Sequence, residues 1–130
     1  VPAALAAKSI FPNRQVICFA GDGDFQMSAS ELGTAMQEGL NPIILIHNNG
    51  SYGTIRMHQE MRYPKRVSGT NLKNPNFKCI AEAYNFGYSK ITNLSEFKVA
   101  FEKAKTIDVG FIIEMLADIK DISPGKIIDL

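Results

Sequence analysis

The sequence predicts an α/β fold, a mainly parallel sheet flanked by helices, and three observations carry that prediction. Residues 16–20, 43–46 and 111–116 are short apolar runs rich in β-branched side chains, the pattern of strands buried on both faces. Between them lie helical stretches with apolar residues three and four apart, opened by capping residues and closed by glycine or proline. Strands that alternate with helices of that length need crossover connections, and these place the strands parallel with helices on both faces.

The elements follow in order. Residues 1–8 are alanine-rich and read as a helix already under way at Val1, so the domain is expected to be incomplete at its N-terminus. The first strand runs into Gly21, Asp22, Gly23, Asp24 and Phe25. Ser28 with Glu31 makes a capping box, and the helix it predicts carries Leu32, Ala35, Met36 and Leu40 on one face before Gly39 and Pro42 end it. The second strand leads into His47, Asn48, Asn49, Gly50, Ser51, Tyr52 and Gly53. Residues 52–60 are expected to form a helix or half-ordered lid. Residues 62–73 have no clear period, and an irregular stretch of that length inside a domain points to a functional or mobile loop. Asn74 and Pro75 offer a cap and a first-turn proline for a helix bearing Phe77, Ile80, Ala81 and Tyr84. A weaker strand covers 87–91. Asn93 and Glu96 open a helix whose Leu94, Phe97, Phe101, Ala104 and Ile107 are expected to face the sheet, and the run 111–116 follows it. No internal repeat, low-complexity tract or interdomain linker interrupts the 130 residues.

Charge and cysteine content narrow the function classes. Fourteen Lys+Arg against 13 Asp+Glu give a net charge of +1, without the clustered basic excess that nucleic acid or an anionic membrane requires. Arg62, Lys65 and Arg66, broken by Pro64, read as a solvated loop. Cys18 and Cys79 stand in no CxxC pair or metal-ligand spacing and are read as buried thiols of a reducing compartment. Neither a membrane-length apolar stretch nor a charged-then-apolar leader is visible, so a cytoplasmic setting is expected.

Ligands of open α/β sheets sit beyond the carboxyl ends of the strands. Gly21 and Gly23 allow a tight turn and close backbone approach, which leaves amide N–H groups near a helix start free to meet an anion. Asp22 supplies a hard oxygen ligand, and Asn48 and Asn49 supply neutral oxygen at the next strand end. Carboxylate, amide and backbone carbonyls, completed by phosphate oxygens, suit Mg²⁺ or Ca²⁺. Each motif alone is ordinary turn chemistry. Together, each directly after a buried strand, they predict a metal-bridged phosphate or diphosphate site.

Gly21-Asp22-Gly23, with Asn49 of an Asn pair 27 positions after Asp22, resembles the cofactor-binding signature of thiamine-diphosphate-dependent enzymes. That group contains acetolactate synthase and 2-oxo acid decarboxylases. Residues 1–8, Asp24 to Ser28 with Glu31 and Leu32, and the stretch Asn48 to Gly53 are similar to the family's pyrophosphate-binding domain, and the likeness reaches about Leu116. The resemblance implies thiamine diphosphate and Mg²⁺ as cofactors. It assigns Asp22 and Asn49, through their side chains, and Ser51, through its carbonyl, to the metal. It places Gly21, Gly23, Asp24, Ser28, Tyr52 and Gly53 with them around the cofactor, although a helix-cap role is sufficient to explain Ser28. Arg56 is a candidate partner for a substrate carboxylate and His58 or Glu60 a candidate proton carrier, against a plain reading of all three as surface helix positions. His47 reads as a strand-end hydrogen-bonding residue, and Met27 and Met57 as packing residues.

The same resemblance implies a small-molecule 2-oxo acid substrate and a homodimer or homotetramer. It also places the activating glutamate on a separate pyrimidine-binding domain. Residues 1–130 are therefore read as most of one pyrophosphate-binding domain, without pyrimidine-binding and middle domains and inactive alone. Residues 50–56 depart from a dedicated acetolactate synthase, so decarboxylation and acetolactate-type carboligation both stay open. Two other readings compete: a cofactor-binding subunit or non-catalytic assembly domain that needs a partner chain, and a Mg²⁺-dependent phosphotransfer domain with Asp22 as nucleophile. The last calls for a second catalytic carboxylate and a Lys or Thr at strand ends, which the sequence does not offer.

Overall fold

The computed structural model describes residues 1–123 together with 126 and 127. Its elements are α1 (Pro2–Ile10), β1 (Ile17–Gly21), α2 (Asp22–Ser28), a 3-10 turn (Ala29–Glu31), α3 (Leu32–Glu38), β2 (Ile43–Asn48), α4 (Gly53–Arg62), α5 (Phe77–Ala83), β3 (Gly87–Ile91), α6 (Leu94–Thr106) and β4 (Phe111–Leu116). A short antiparallel pair, β5 (Asp121–Ser123) with β6 (Lys126–Ile127), follows. The main sheet has the order β1-β2-β4-β3, and every neighbour pair is parallel. The α/β class and the parallel sheet with flanking helices are as the sequence predicts.

Alternation along β2 divides the core. Ile44 and Ile46 turn to one face, where Leu5, Phe25, Leu32, Phe77 and Ala81 bring α1, α2, α3 and α5 against the sheet. Ile43 and Leu45 turn to the other, where Ala100 and Ala104 bring α6 alone. Phe25 and Phe77 meet edge-to-face with centroids 5.5 Å apart, which locks α2 to α5 beneath the strand ends. Each fully buried phenylalanine contributes roughly 1.5–3 kcal/mol from burial.

Several local expectations need correction. β1 is an edge strand with one open face, and Phe19 is 78% exposed, so the first apolar run is not buried on both sides. The predicted Ser28/Glu31 capping box does not form. The helix begins seven residues earlier: the Asp24 carboxylate accepts the Gly21 N–H at 3.3 Å, and Asp22 and Asp24 place negative charge at the positive end of its first turn. Ser28 ends that helix, its hydroxyl donating to the Asp24 carbonyl at 3.5 Å, while Glu31 accepts from the Thr34 hydroxyl at 3.1 Å.

Met36 is exposed, whereas Leu32 and Ala35 of the same helix are buried. Leu94, the first residue of α6, is exposed too, and Ala100 joins Ala104 in the buried row. Asn76, not Asn74, caps α5, accepting from the Lys78 and Cys79 amides at 3.0 and 3.3 Å. Asn93 caps α6 as predicted, accepting from the Glu96 amide at 3.0 Å. Cys18 is only half-buried and Cys79 exposed, so neither is a buried thiol. Among the described residues no helix is long and apolar enough to cross a membrane.

Candidate functional site

β1 and β2 are parallel neighbours with Gly21 opposite His47, so the two motifs that follow them open side by side. Between them lies a cavity of about 220 Å³. Of the nine residues the sequence assigns to a cofactor, eight line it: Gly21, Asp22, Gly23, Asp24, Asn49, Ser51, Tyr52 and Gly53. Ser28 does not. His47 and Met27 join the wall, and Met27 is 72% exposed there, which corrects its reading as a packing residue.

Asp22 is 1% exposed, and its two oxygens are used differently. Oδ2 accepts from the Gly50 N–H at 2.9 Å and from the Asn74 amide at 2.6 Å, whereas Oδ1 accepts only the adjacent Gly23 N–H, at 3.1 Å. Among the described residues no Lys, Arg or His pairs with this carboxylate. A buried carboxylate without a cationic partner is costly unless something else supplies positive charge. Asn49 Oδ1 accepts one bond, from the Ser51 N–H at 3.0 Å. The Ser51 hydroxyl is turned into the Thr70 carbonyl at 2.9 Å, so the backbone carbonyl is the oxygen this buried residue has to offer. No group of three or more His, Cys, Asp or Glu side chains gathers among the described residues. A cation in this cavity would have one charged ligand and neutral oxygens, a donor set that suits a hard ion whose remaining positions go to phosphate and water.

Two glycines keep the cavity open. A Cβ on Gly23 would come within 2.8 Å of the Tyr52 ring and 3.2 Å of Leu72, and one on Gly53 within 2.8 Å of the Asn49 amide. Gly50, at φ +65°, makes the turn that lets its N–H reach both Asp22 and Asn48.

Residues 70–74 brace the cavity wall from behind. Ser51 bridges Asn71, the Tyr52 N–H donates to the Thr70 carbonyl at 2.9 Å, and the Leu72 N–H donates to the Gly50 carbonyl at 2.8 Å. That pairing brings in Asn74, whose amide nitrogen spans Asp22 Oδ2 and Asn48 Oδ1, at 2.6 and 2.8 Å, while its oxygen accepts from Gln26 at 2.8 Å. Sequence reasoning gave Asn74 to a helix start. The signal was in the Asn74-Pro75-Asn76 run: proline biases the residue before it away from the helical region, and Asn76 already serves as the cap. Sequence reasoning also passed over Glu114, a carboxylate within an apolar strand, 4% exposed. Glu114 accepts from Asn48 Nδ2 at 2.7 Å and from the Tyr88 hydroxyl, and lies 3.5 Å from the Lys90 ammonium. Burial, and then Glu114, push the Tyr88 phenol well above its ordinary range.

The α4 candidates lie outside the cavity wall. Arg56 Nη1 donates to Asn71 at 3.3 Å, His58 is exposed, and Glu60 accepts from the Lys65 N–H at 3.0 Å.

Residues 1–115 match the family model described as the C-terminal TPP-binding domain of thiamine pyrophosphate enzymes. The chain is 39% identical over 117 residues to the acetolactate synthase large subunit of Buchnera aphidicola subsp. Schlechtendalia chinensis, covering 86% of this chain and 20% of that protein. With the acetolactate synthase large subunit of Corynebacterium glutamicum it shares 38% over 113 residues, covering 83% and 18%. Among solved structures, the thiamine diphosphate-dependent 4-hydroxybenzoylformate decarboxylase of Rhodococcus jostii RHA1 superposes with a TM-score of 0.84 at 30% identity, over 91% of this chain and 22% of that one. The chain thus spans about a fifth of these proteins. The matched span contains both strand-end motifs and the cavity between them, and the chain belongs to the family of C-terminal thiamine pyrophosphate-binding domains of thiamine pyrophosphate enzymes.

Proposed function

We propose that the cavity anchors the diphosphate of thiamine diphosphate through Mg²⁺, as the pyrophosphate-binding part of an enzyme that decarboxylates or carboligates 2-oxo acids. The observation that carries this reading is the convergence of Asp22, Asn49 and Ser51 on one cavity, with the Asp22 carboxylate buried and unpaired to any cationic side chain among the described residues. Asp22 Oδ1, Asn49 Oδ1 and the Ser51 carbonyl each have one hydrogen bond in the protein and a lone pair to spare for the metal. The N-terminus of α2, with the Gly23 and Asp24 amides, favours the anion that the metal bridges.

When bound, thiamine diphosphate supplies the electron sink for cleavage next to the 2-oxo group. The work of this chain is to fix the diphosphate end and so aim the rest of the cofactor. Asp22 and Asn49 would hold the metal, Tyr52 packs on Gly23 to close the cradle, and residues 70–72 brace the Ser51 turn. Turnover by these 130 residues alone is not expected, because the family resemblance puts the activating glutamate on a pyrimidine-binding domain. Homodimer or homotetramer assembly and a cytoplasmic location belong to the same proposal. Calorimetric titration of the full-length gene product with thiamine diphosphate, with and without Mg²⁺, tests it. Affinity should depend on Mg²⁺ and be lost in Asp22→Ala; equal affinity in that variant would remove the site assignment.

A further inference from the structure

We infer that Glu114 is a positioning residue for the Mg²⁺ site, acting on Asp22 through the amides of Asn48 and Asn74. This rests on the Mg²⁺-diphosphate reading above. One donor near Asn48 has a direction that is not open to choice. The Gly50 backbone N–H points at Asn48 Oδ1, 3.2 Å away, so the Asn48 amide presents its oxygen toward the cavity and its NH₂ group toward β4. There Glu114 receives it at 2.7 Å. A carboxylate can only accept, so it favours this orientation of the Asn48 amide over the flipped one, in which two oxygens would face each other.

The consequence passes on. With Asn48 Oδ1 fixed as an acceptor, Asn74 offers its NH₂ group to Asn48 and to Asp22 Oδ2, at 2.8 and 2.6 Å, and keeps its oxygen for Gln26. Asp22 is thereby held by Oδ2, which leaves Oδ1 as its less-bonded oxygen. Glu114 itself is fixed from the other side by the Tyr88 hydroxyl, with Lys90 at 3.5 Å. Glu114 lies on β4 opposite Ile46 of β2, so the chain of bonds crosses from the middle of the sheet to the strand-end cavity. Outer partners of this kind orient metal ligands, and their loss costs roughly 10- to 100-fold in metal affinity.

The test is Mg²⁺ titration of the full-length gene product at saturating thiamine diphosphate, read by calorimetry, with thermal unfolding followed in parallel. Glu114→Ala should weaken Mg²⁺ about tenfold or more, whereas Glu114→Gln, whose amide oxygen can still accept from Asn48, should stay within about threefold of wild type. Asn93→Ala, which removes the α6 cap away from the network, serves as the stability control, lowering the unfolding temperature without moving the Mg²⁺ affinity. Asn48→Ala cuts the same link with Glu114 in place and carries the same prediction as Glu114→Ala if that variant does not fold. An unchanged Mg²⁺ affinity in both Glu114→Ala and Asn48→Ala, while Asp22→Ala abolishes binding, overturns the positioning role and leaves the site standing. Unchanged affinity in Asp22→Ala overturns the site and this inference with it.

Discussion

Two hollows flank the carboxyl ends of the sheet, and their walls have opposite chemistry. The cavity between β1 and β2 encloses about 220 Å³ and is walled by Asp22, Asn49, Ser51 and glycine backbone. The groove on the α6 face is larger, about 380 Å³, and is walled by Phe19, Leu45, Leu94, Phe97, Met115 and Leu116. Of these two, volume alone would favour the groove. What distinguishes the cavity is directed polarity: its acceptors are held by backbone N–H groups and amides of fixed direction, and one of them is a buried carboxylate. The groove owes its shape to incomplete cover, since α6 lies over β3 and β4 while Phe19 of the edge strand stays 78% exposed. A ligand needs polar groups to orient it as well as apolar surface to hold it, and only the cavity brings such groups to one point.

Substitutions can break this contrast at either end. After the loss expected in Asp22→Ala, the largest effect is expected at Gly23→Ala, whose added methyl meets the Tyr52 ring and Leu72. Overpacking of that kind costs about 1–3 kcal/mol of stability in chemical unfolding, and displacement of the Tyr52 ring should also lower cofactor affinity measured by calorimetry. Tyr88→Phe, at the base of the network, should cost about 1 kcal/mol at neutral pH in chemical unfolding, from the lost bond to Glu114. It also carries a pH signature. Burial and the neighbouring Glu114 raise the phenol in the folded chain, so the folded state keeps its proton above about pH 10 while the unfolded chain releases it. That contribution is complete below pH 10 and is lost as pH rises further, and unfolding curves of Tyr88→Phe should lack this alkaline loss. Phe19→Asp, in the groove wall, should change stability by no more than about 0.5 kcal/mol because the side chain is already in water. It should leave cofactor affinity measured by calorimetry unchanged. An affinity loss in Phe19→Asp as large as that in Gly23→Ala would erase the distinction between the two hollows.

What was legible in the sequence follows the range of the interactions. β2 and β4 are plain from their β-branched runs because both faces of a central strand are dry, and the same pattern misreads β1, whose apolar residues do not announce that a neighbour is missing. Asp22 and Asn49 could be brought together because strand ends of adjacent parallel strands coincide, a rule that needs no coordinates, whereas Ser51 came from the family resemblance. Asn74 could not, since it reaches Asp22 across 52 residues of chain and its neighbourhood depends on the pairing of residues 70–72 with 50–52. Ser28 shows the converse. A complete local capping pattern was overridden by a start at Gly21, where the turn after β1 had already set the helix direction.

The central claim is that Asp22, Asn49 and Ser51 hold one metal ion between the protein and a diphosphate. Anomalous diffraction from crystals of the full-length gene product grown with thiamine diphosphate and Mn²⁺ in place of Mg²⁺ tests it most directly. One peak is expected about 2.1 Å from Asp22 Oδ1, Asn49 Oδ1 and the Ser51 carbonyl. A manganese peak elsewhere, with the diphosphate bound and Asp22 Oδ1 not coordinating, would contradict it.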